Sequence, residues 1–371
     1  MPRWARPLVF GWLFLGAVPL ALALLLALVA ETARGHVFGL AAACVVAGPV
    51  PFALGLARKL RGLRRWAAAV PGLFAIAGSA ALVAAVPSPR APGVRGAWAE
   101  GPRQWGLSTL LPEVDQLVLG SYLVGYLDPL ITPTSAVRIR NAFLSVYRPM
   151  AQDPDFARLP TQLTEAYSDG ASGQRFIYVP EHAPGERLPC VVFLHGSGGN
   201  FQGYLWVWKQ MADRGRFVVV APGFGFGNWQ RPGGVEAVLT ARTDAERTLP
   251  IDPSRFILAG LSNGGRGVVR VIEGDAARTW KAVVLLSAVV DLEPSAAAWR
   301  GRPTLVVHGL RDDRIPTPWL EESVRLLREA GATVQTRFDP DQDHFLFFSR
   351  RDEVEPWVLE FLRCLEVSPC P

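Results

Sequence analysis

Gly260-Leu261-Ser262-Asn263-Gly264 reads G-x-S-x-G. An apolar, strand-like run, 255–259, precedes it, and 265–271 can continue as a helix. A serine in so sharp a strand-to-helix turn is exposed as a nucleophile. Its backbone is strained, and glycines two residues away let the chain pass close by. A serine hydroxyl is a poor nucleophile near neutral pH. It needs a base, and the base needs an orienting acid.

The chain has five histidines. His36 lies in an apolar N-terminal segment, and His182 lies in a stretch of surface-loop composition. His195 and His308 each end a strand-like run and precede glycine. His344 sits in a polar loop, Asp341-Gln342-Asp343-His344-Phe345, ahead of a final helix-like stretch. The acid candidates are the adjacent Asp312 and Asp313 and, one strand earlier, Asp291. A third element is the run Cys190-Val191-Val192-Phe193-Leu194, followed by His195-Gly196-Ser197-Gly198-Gly199-Asn200. Acyl transfer builds negative charge on a carbonyl oxygen, and preorganised backbone N–H groups stabilise it. Ser197 and Asn263, the residue after the nucleophile, are the expected N–H donors. His195 is expected to pin the loop.

These motifs resemble those of the α/β-hydrolase superfamily over about 173–362, roughly half the chain. The likeness is greatest to the dienelactone-hydrolase, carboxylesterase and polyhydroxyalkanoate-depolymerase-like branches. The matching pieces include Tyr178-Val179-Pro180, the His195–Asn200 loop, Leu249-Pro250-Ile251-Asp252-Pro253-Ser254-Arg255, the serine turn, the 308–316 loop and His344. The resemblance implies the chain order serine, acid, histidine, which selects His344 as base. Related loops read H-G-x-x-D-x-x-V-P, which places the acid at Asp312. The implied catalytic set is Ser262, Asp312 and His344, supported by Gly196, Gly260 and Gly264.

Hydrophobic residues make up 50% of the 371-residue chain, high for a wholly soluble enzyme. The excess lies at the N-terminus. Three apolar runs, 8–30, 37–57 and 66–86, are each long enough to span a bilayer. Residues 1–96 hold ten Lys/Arg and one acid, while the remainder holds 28 basic and 32 acidic residues. The basic balance therefore belongs to membrane flanks, and no nucleic-acid partner is expected. Arg58, Lys59, Arg61, Arg64 and Arg65 crowd the second inter-span loop. The positive-inside rule then puts the N-terminus in the cytoplasm and the C-terminal domain outside it. Cys364 and Cys370 are close enough in sequence for a disulfide in such a compartment. No cysteine spacing suggests zinc, so no metal and no cofactor are expected.

The expected organisation is a three-helix transmembrane region over 1–86, a linker with an accessory helical segment over 87–165, and a catalytic domain over 166–371. The segment 87–105 is rich in Pro, Gly and Arg. Residues 110–131 are apolar but carry Glu113, Asp115 and Asp128, too polar to span. Residues 154–167 read as a helix. From 174 onward, strands are expected at 174–179, 190–194, 216–221, 255–259, 282–287, 303–307 and 333–338. Helices are expected at 202–214, 233–248, 264–273, 317–331 and 353–364. Such alternation predicts an α/β fold, a mostly parallel sheet covered by helices. The aromatic Pro222–Trp229 loop is a candidate pocket wall. The expected function is a membrane-anchored serine hydrolase acting on a small-molecule or lipid-like carboxylic ester. A serine peptidase or amidase of the S9 type is the alternative, and an inactive membrane scaffold the third reading.

Overall fold

The computed structural model describes residues 5–47, 63–86, 91–102, 107–127, 131–168, 170–274, 280–290 and 295–366. The chain divides into two compact units. One comprises Met1–Val86 with Gly106–Ala136, and the other Pro87–Trp105 with Val137–Pro371.

The first unit is helical, with helices Ala5–Val29, Ala33–Ala47, Leu63–Ala84, Leu107–Leu110 and Glu113–Leu127 among the described residues. Three of these occupy the apolar runs expected as membrane spans. Among the described residues, however, no helix is long and apolar enough to cross a membrane, and the expected spans 8–30, 37–57 and 66–86 find no support there. In the second run the described helix, Ala33–Ala47, covers 15 residues. At 1.5 Å per residue that is roughly 22 Å, against a hydrocarbon core of about 30 Å. Residues 48–62, including the basic loop, lie outside the described set.

Asp115 explains the acid in the apolar stretch 110–131. Its buried carboxylate accepts hydrogen bonds from the N–H groups of Glu31 (2.6 Å) and Thr32 (3.2 Å) and from the Thr32 hydroxyl (2.5 Å). It thereby satisfies donors at the turn opening the helix Ala33–Ala47. Leu111 joins Leu26 and Ala30 in a small apolar cluster, with Phe38 and Leu119 against it.

The second unit is built on one sheet. Its strands are β1 (Gly96–Glu100), β2 (Arg175–Val179), β3 (Leu188–Leu194), β4 (Val218–Pro222), β5 (Ile251–Leu261), β6 (Ala282–Leu286), β7 (Pro303–Gly309) and β8 (Thr333–Asp339). The spatial order is β1-β2-β4-β3-β5-β6-β7-β8. β2 runs antiparallel to β1 and β4, and every pairing from β4 to β8 is parallel. Buried parallel strands read as continuous apolar runs, as Val191-Val192-Phe193-Leu194 does. Alternate side chains serve opposite faces. Cys190, Val192 and Leu194 join a core with helices Gly234–Thr248, Gly264–Glu273 and Thr317–Glu329. Phe193 meets Tyr204, Trp208 and Phe347 on the other side, where helix Gln202–Gly215 packs on Arg351–Cys364.

β1 lies inside the segment expected as linker. It is a five-residue edge strand whose Trp98 is 1% exposed. Arg175 on β2 donates to Glu100 at 2.8 and 2.9 Å and to Asp244 at 2.8 Å, tying the edge to the sheet and to a covering helix. The helix expected over 154–167 is absent. Turns lead instead to a short 3-10 turn, Leu163–Tyr167. Pro160 removes an amide donor and disfavours helical backbone at Leu159. A helix that the periodicity left unassigned, Pro133–Met150, precedes it. Cys364 is disulfide-bonded, and Cys370 lies outside the described residues.

Truncating the anchor of β1 tests its place in the core. Trp98→Ala should cost about 3–5 kcal/mol of stability, the range for a buried large aromatic. Urea denaturation measures this directly. A loss near that of a surface substitution would mean that 96–100 is not held in the sheet.

Candidate active site

The loops at the carboxyl ends of β3, β5, β7 and β8 carry His195–Asn200, Ser262, Asp312 and His344. This is the end at which open α/β sheets bind ligands. Ser262 closes β5 with φ of 51°, a left-handed conformation that non-glycine residues avoid. Hydrogen bonds hold it there. Its N–H donates to the Leu286 carbonyl at 3.1 Å, and its carbonyl accepts from Gly265 and Val289 at 3.0 Å each. Close packing also excludes side chains on both motif glycines. A Cβ at Gly264 would lie 2.1 Å from the Leu194 carbonyl oxygen, and one at Gly260 would lie 2.7 Å from the Gly264 backbone. A Cβ at Gly196 would reach 3.0 Å from the Ser262 Cβ.

The three residues expected to act together meet. His344 Nε2 is 2.9 Å from Ser262 Oγ, and His344 Nδ1 is 2.6 Å from Asp312 Oδ2. An ionised carboxylate only accepts, so Nδ1 carries the proton and donates to Asp312. Nε2 is then free to accept from the Ser262 hydroxyl.

Asp312 is buried, which alone would push its carboxyl pKa up. The His344 hydrogen bond and charge, the N–H of Ile315 and the neighbouring His308 outweigh that and hold it below the usual range. Its other oxygen accepts from the N–H groups of Arg314 (2.8 Å) and Ile315 (2.9 Å). Asp313 points to solvent, and Asp291 lies outside the described residues. His308 is buried beneath the acid. Its Nε2 donates to the Ile315 carbonyl at 3.0 Å and lies 3.6 Å from Asp312 Oδ2, while burial lowers its pKa.

Ser197 and Asn263 also meet. The Asn263 amide donates to Ser197 Oγ at 2.6 Å. Among the described residues, neither backbone N–H takes part in a loop or cap hydrogen bond, so both donors stay available. His195 pins this loop. Its Nδ1 donates to the Gly196 carbonyl at 2.8 Å, and its Nε2 accepts from the Phe224 N–H at 3.1 Å. That pattern is the neutral imidazole, and burial lowers its pKa to about 4. The Trp229 indole packs on the ring and donates to the His195 carbonyl at 2.8 Å.

Two supports act in ways the sequence did not suggest; it offered the Pro222–Trp229 loop as a pocket wall and Asn200 only as part of the His195–Asn200 loop. Trp229 ends the aromatic loop, and only the fold brings it under His195. Asn200 donates to Gln162 (2.8 Å) and the Ala221 carbonyl (2.9 Å), fixing the end of the β3 loop. The signal was its place closing the glycine run.

Serine turn, strand order and loop placement agree. The fold is that of the α/β-hydrolases. No family model matches the chain. Over 290 residues it is 24% identical to a probable dipeptidyl-aminopeptidase B of Emericella nidulans, covering 62% of this chain and 31% of that relative. It thus spans about a third of that relative's length. An S-formylglutathione hydrolase from Agrobacterium tumefaciens is 19% identical, with a TM-score of 0.42, over 51% of this chain and 90% of its own. An esterase from Pyrobaculum calidifontis is 18% identical, with a TM-score of 0.44, over 56% and 90%. An acylaminoacyl peptidase from Pyrococcus horikoshii is 17% identical, with a TM-score of 0.42, over 51% and 39%.

Burial of His195 has a consequence in acid. Its folded pKa of about 4 lies below the ordinary 6.5. Between those values the unfolded chain holds a proton that the folded chain lacks, so stability falls as pH drops through that window. This one residue should account for on the order of 3 kcal/mol. Urea melts between pH 7 and 4 should show a shallower loss in His195→Gln than in the wild type. Parallel slopes would refute the neutral, buried assignment.

Proposed function

We propose that the protein is a serine hydrolase that cleaves carboxylic esters through an acyl-enzyme. The unbroken chain Ser262–His344–Asp312, at 2.9 and 2.6 Å, carries this reading. Ser262 Oγ attacks the ester carbonyl while its proton passes to His344 Nε2. The carbonyl oxygen becomes an oxyanion facing the N–H groups of Ser197 and Asn263. Asp312 stays ionised and stabilises the imidazolium. The tetrahedral intermediate collapses as His344 protonates the leaving alcohol. Water, deprotonated by His344, then attacks the acyl-enzyme, and Ser262 is regenerated with release of the acid. An ester is preferred because an alkoxide leaves more readily than an amide nitrogen, which must be protonated first.

The second reading is a serine peptidase or amidase. One observation favours it: the curated relative is a probable dipeptidyl-aminopeptidase B. Turnover of p-nitrophenyl esters against peptide p-nitroanilides separates the two.

We also propose that residues 1–86 anchor the protein to a membrane, with the catalytic unit on the extracytoplasmic side. The support is the trio of apolar runs, the basic cluster at 58–65 and the exposed apolar side chains on the helices. Leu28 is 80% exposed, Leu15 75% and Ile76 70%. Side chains of that kind and number call for a covering phase or partner. A tethered site there would meet lipid-like or exported esters.

Ser262→Ala should abolish turnover and labelling by a fluorophosphonate, with a loss that reaches on the order of 10⁶-fold for an intact triad. Asp312→Asn should cost far more than Asp313→Asn. Labelling retained at another serine would overturn the nucleophile, and equal mild losses at both aspartates would overturn the acid.

The anchor is tested by fusion. A reporter active only outside the cytoplasm should work after Pro371 and stay silent within 58–65. An inactive C-terminal fusion would sink the topology and leave the triad standing.

A further inference from the structure

We propose that Arg266 is a positioning residue for the oxyanion site, fixing the Asn263 amide that clamps the two N–H donors together. This rests on the serine-hydrolase reading above. Arg266 lies one turn into the helix Gly264–Glu273, three residues beyond Asn263. Its Nη1 donates to Asn263 Oδ1 at 3.1 Å, and Asn263 Nδ2 donates to Ser197 Oγ at 2.6 Å.

The chemistry of the guanidinium sets the direction of this relay. Arginine has donors and no acceptor, so the amide must turn its oxygen toward Arg266. The amide nitrogen then faces Ser197. A flipped amide would set its NH2 against the Arg266 donor, and Ser197 Oγ would have to donate to the amide oxygen instead of accepting from the nitrogen. Without Arg266 nothing in the relay selects between the two orientations.

The clamp matters because of where its ends lie. Ser197 belongs to the β3 loop and Asn263 to the β5 turn, 66 residues apart. The pairing of Leu194 with Gly260 brings the strand ends together. Beyond it, His195 and Asn200 hold the two ends of the β3 loop, and the Asn263 amide adds a bond at Ser197 between them. Oxyanion donors must be held to within about 0.5 Å to act in the transition state. A side-chain bridge between the two donor residues supplies that constraint.

A cation in the first turn opposes the helix dipole, so helix stability does not call for one at this position.

Fluorophosphonate labelling of Ser262 in the wild type tests the underlying reading on its own. Given labelling, hydrolysis of p-nitrophenyl acetate tests the relay. Arg266→Met should lower kcat by about tenfold with KM within about twofold, less than the roughly 10²–10³ seen when an oxyanion donor is lost outright. Arg266→Lys, which keeps a donor, should retain most of kcat. Ser197→Ala keeps the backbone N–H and removes the clamp from its other end. It should match Arg266→Met, and the double variant should lose no more than either single one. Unchanged kcat in Arg266→Met, or additive losses in the double variant, would overturn the proposal. Should Arg266→Met not fold, Ser197→Ala at its exposed position decides alone, and full kcat there overturns it.

Discussion

The left-handed backbone of Ser262 is the constraint on which the rest of the sheet unit depends. Such a conformation costs on the order of 1–3 kcal/mol and persists only where the surroundings over-determine it. Here they do so through three hydrogen bonds, one to the Leu286 carbonyl beyond β5 and two from Gly265 and Val289. The helix behind the serine must also come close enough for Gly264 to lie on the Leu194 carbonyl. That approach sets β3 beside β5 and brings the β3 loop, with Ser197, to the mouth of the same turn. A central parallel sheet, buried on both faces, is rigid enough to hold the strain.

Three histidines surround this turn, and burial separates their roles. His195 and His308 are fully buried, and desolvation lowers the pKa of each. Held neutral, each can use one ring nitrogen as a fixed donor to a carbonyl, which is what loop support requires. The His344 side chain is 11% exposed and lies between a buried carboxylate and a serine hydroxyl. Only that position combines a charge partner with access to a reacting group. Asp312 stays ionised in a dry setting because both of its oxygens are engaged, one by backbone N–H groups and one by His344.

The helical unit follows different physics. Its most deeply buried carboxylate among the described residues, Asp115, works on backbone donors at a helix start. Apolar side chains on its helices are extensively exposed, whereas the sheet unit buries most of its large ones among the described residues. The division in hydropathy along the chain is thus also a division in how apolar surface is handled.

Much of this protein was legible in the linear order of residues. Strands from 174 onward announce themselves as short apolar runs, because a buried parallel strand must be apolar on both faces. Ser262, His344, Asp312, Ser197 and Asn263 stood out as candidates because strand ends, glycines and the chain order of serine, acid and histidine are local or ordinal signals. What lay beyond reach depends on partners distant in sequence. β1 carries the composition of a linker and is a strand only because β2 offers it an edge. Residues 154–167 look helical in composition, yet Pro160 and the loops packed around them favour turns. The bridges from Trp229 to His195 and from Arg266 through Asn263 to Ser197 join separate loops. Side-chain contacts between loops follow from strand order and register, and those exist only once the sheet has formed.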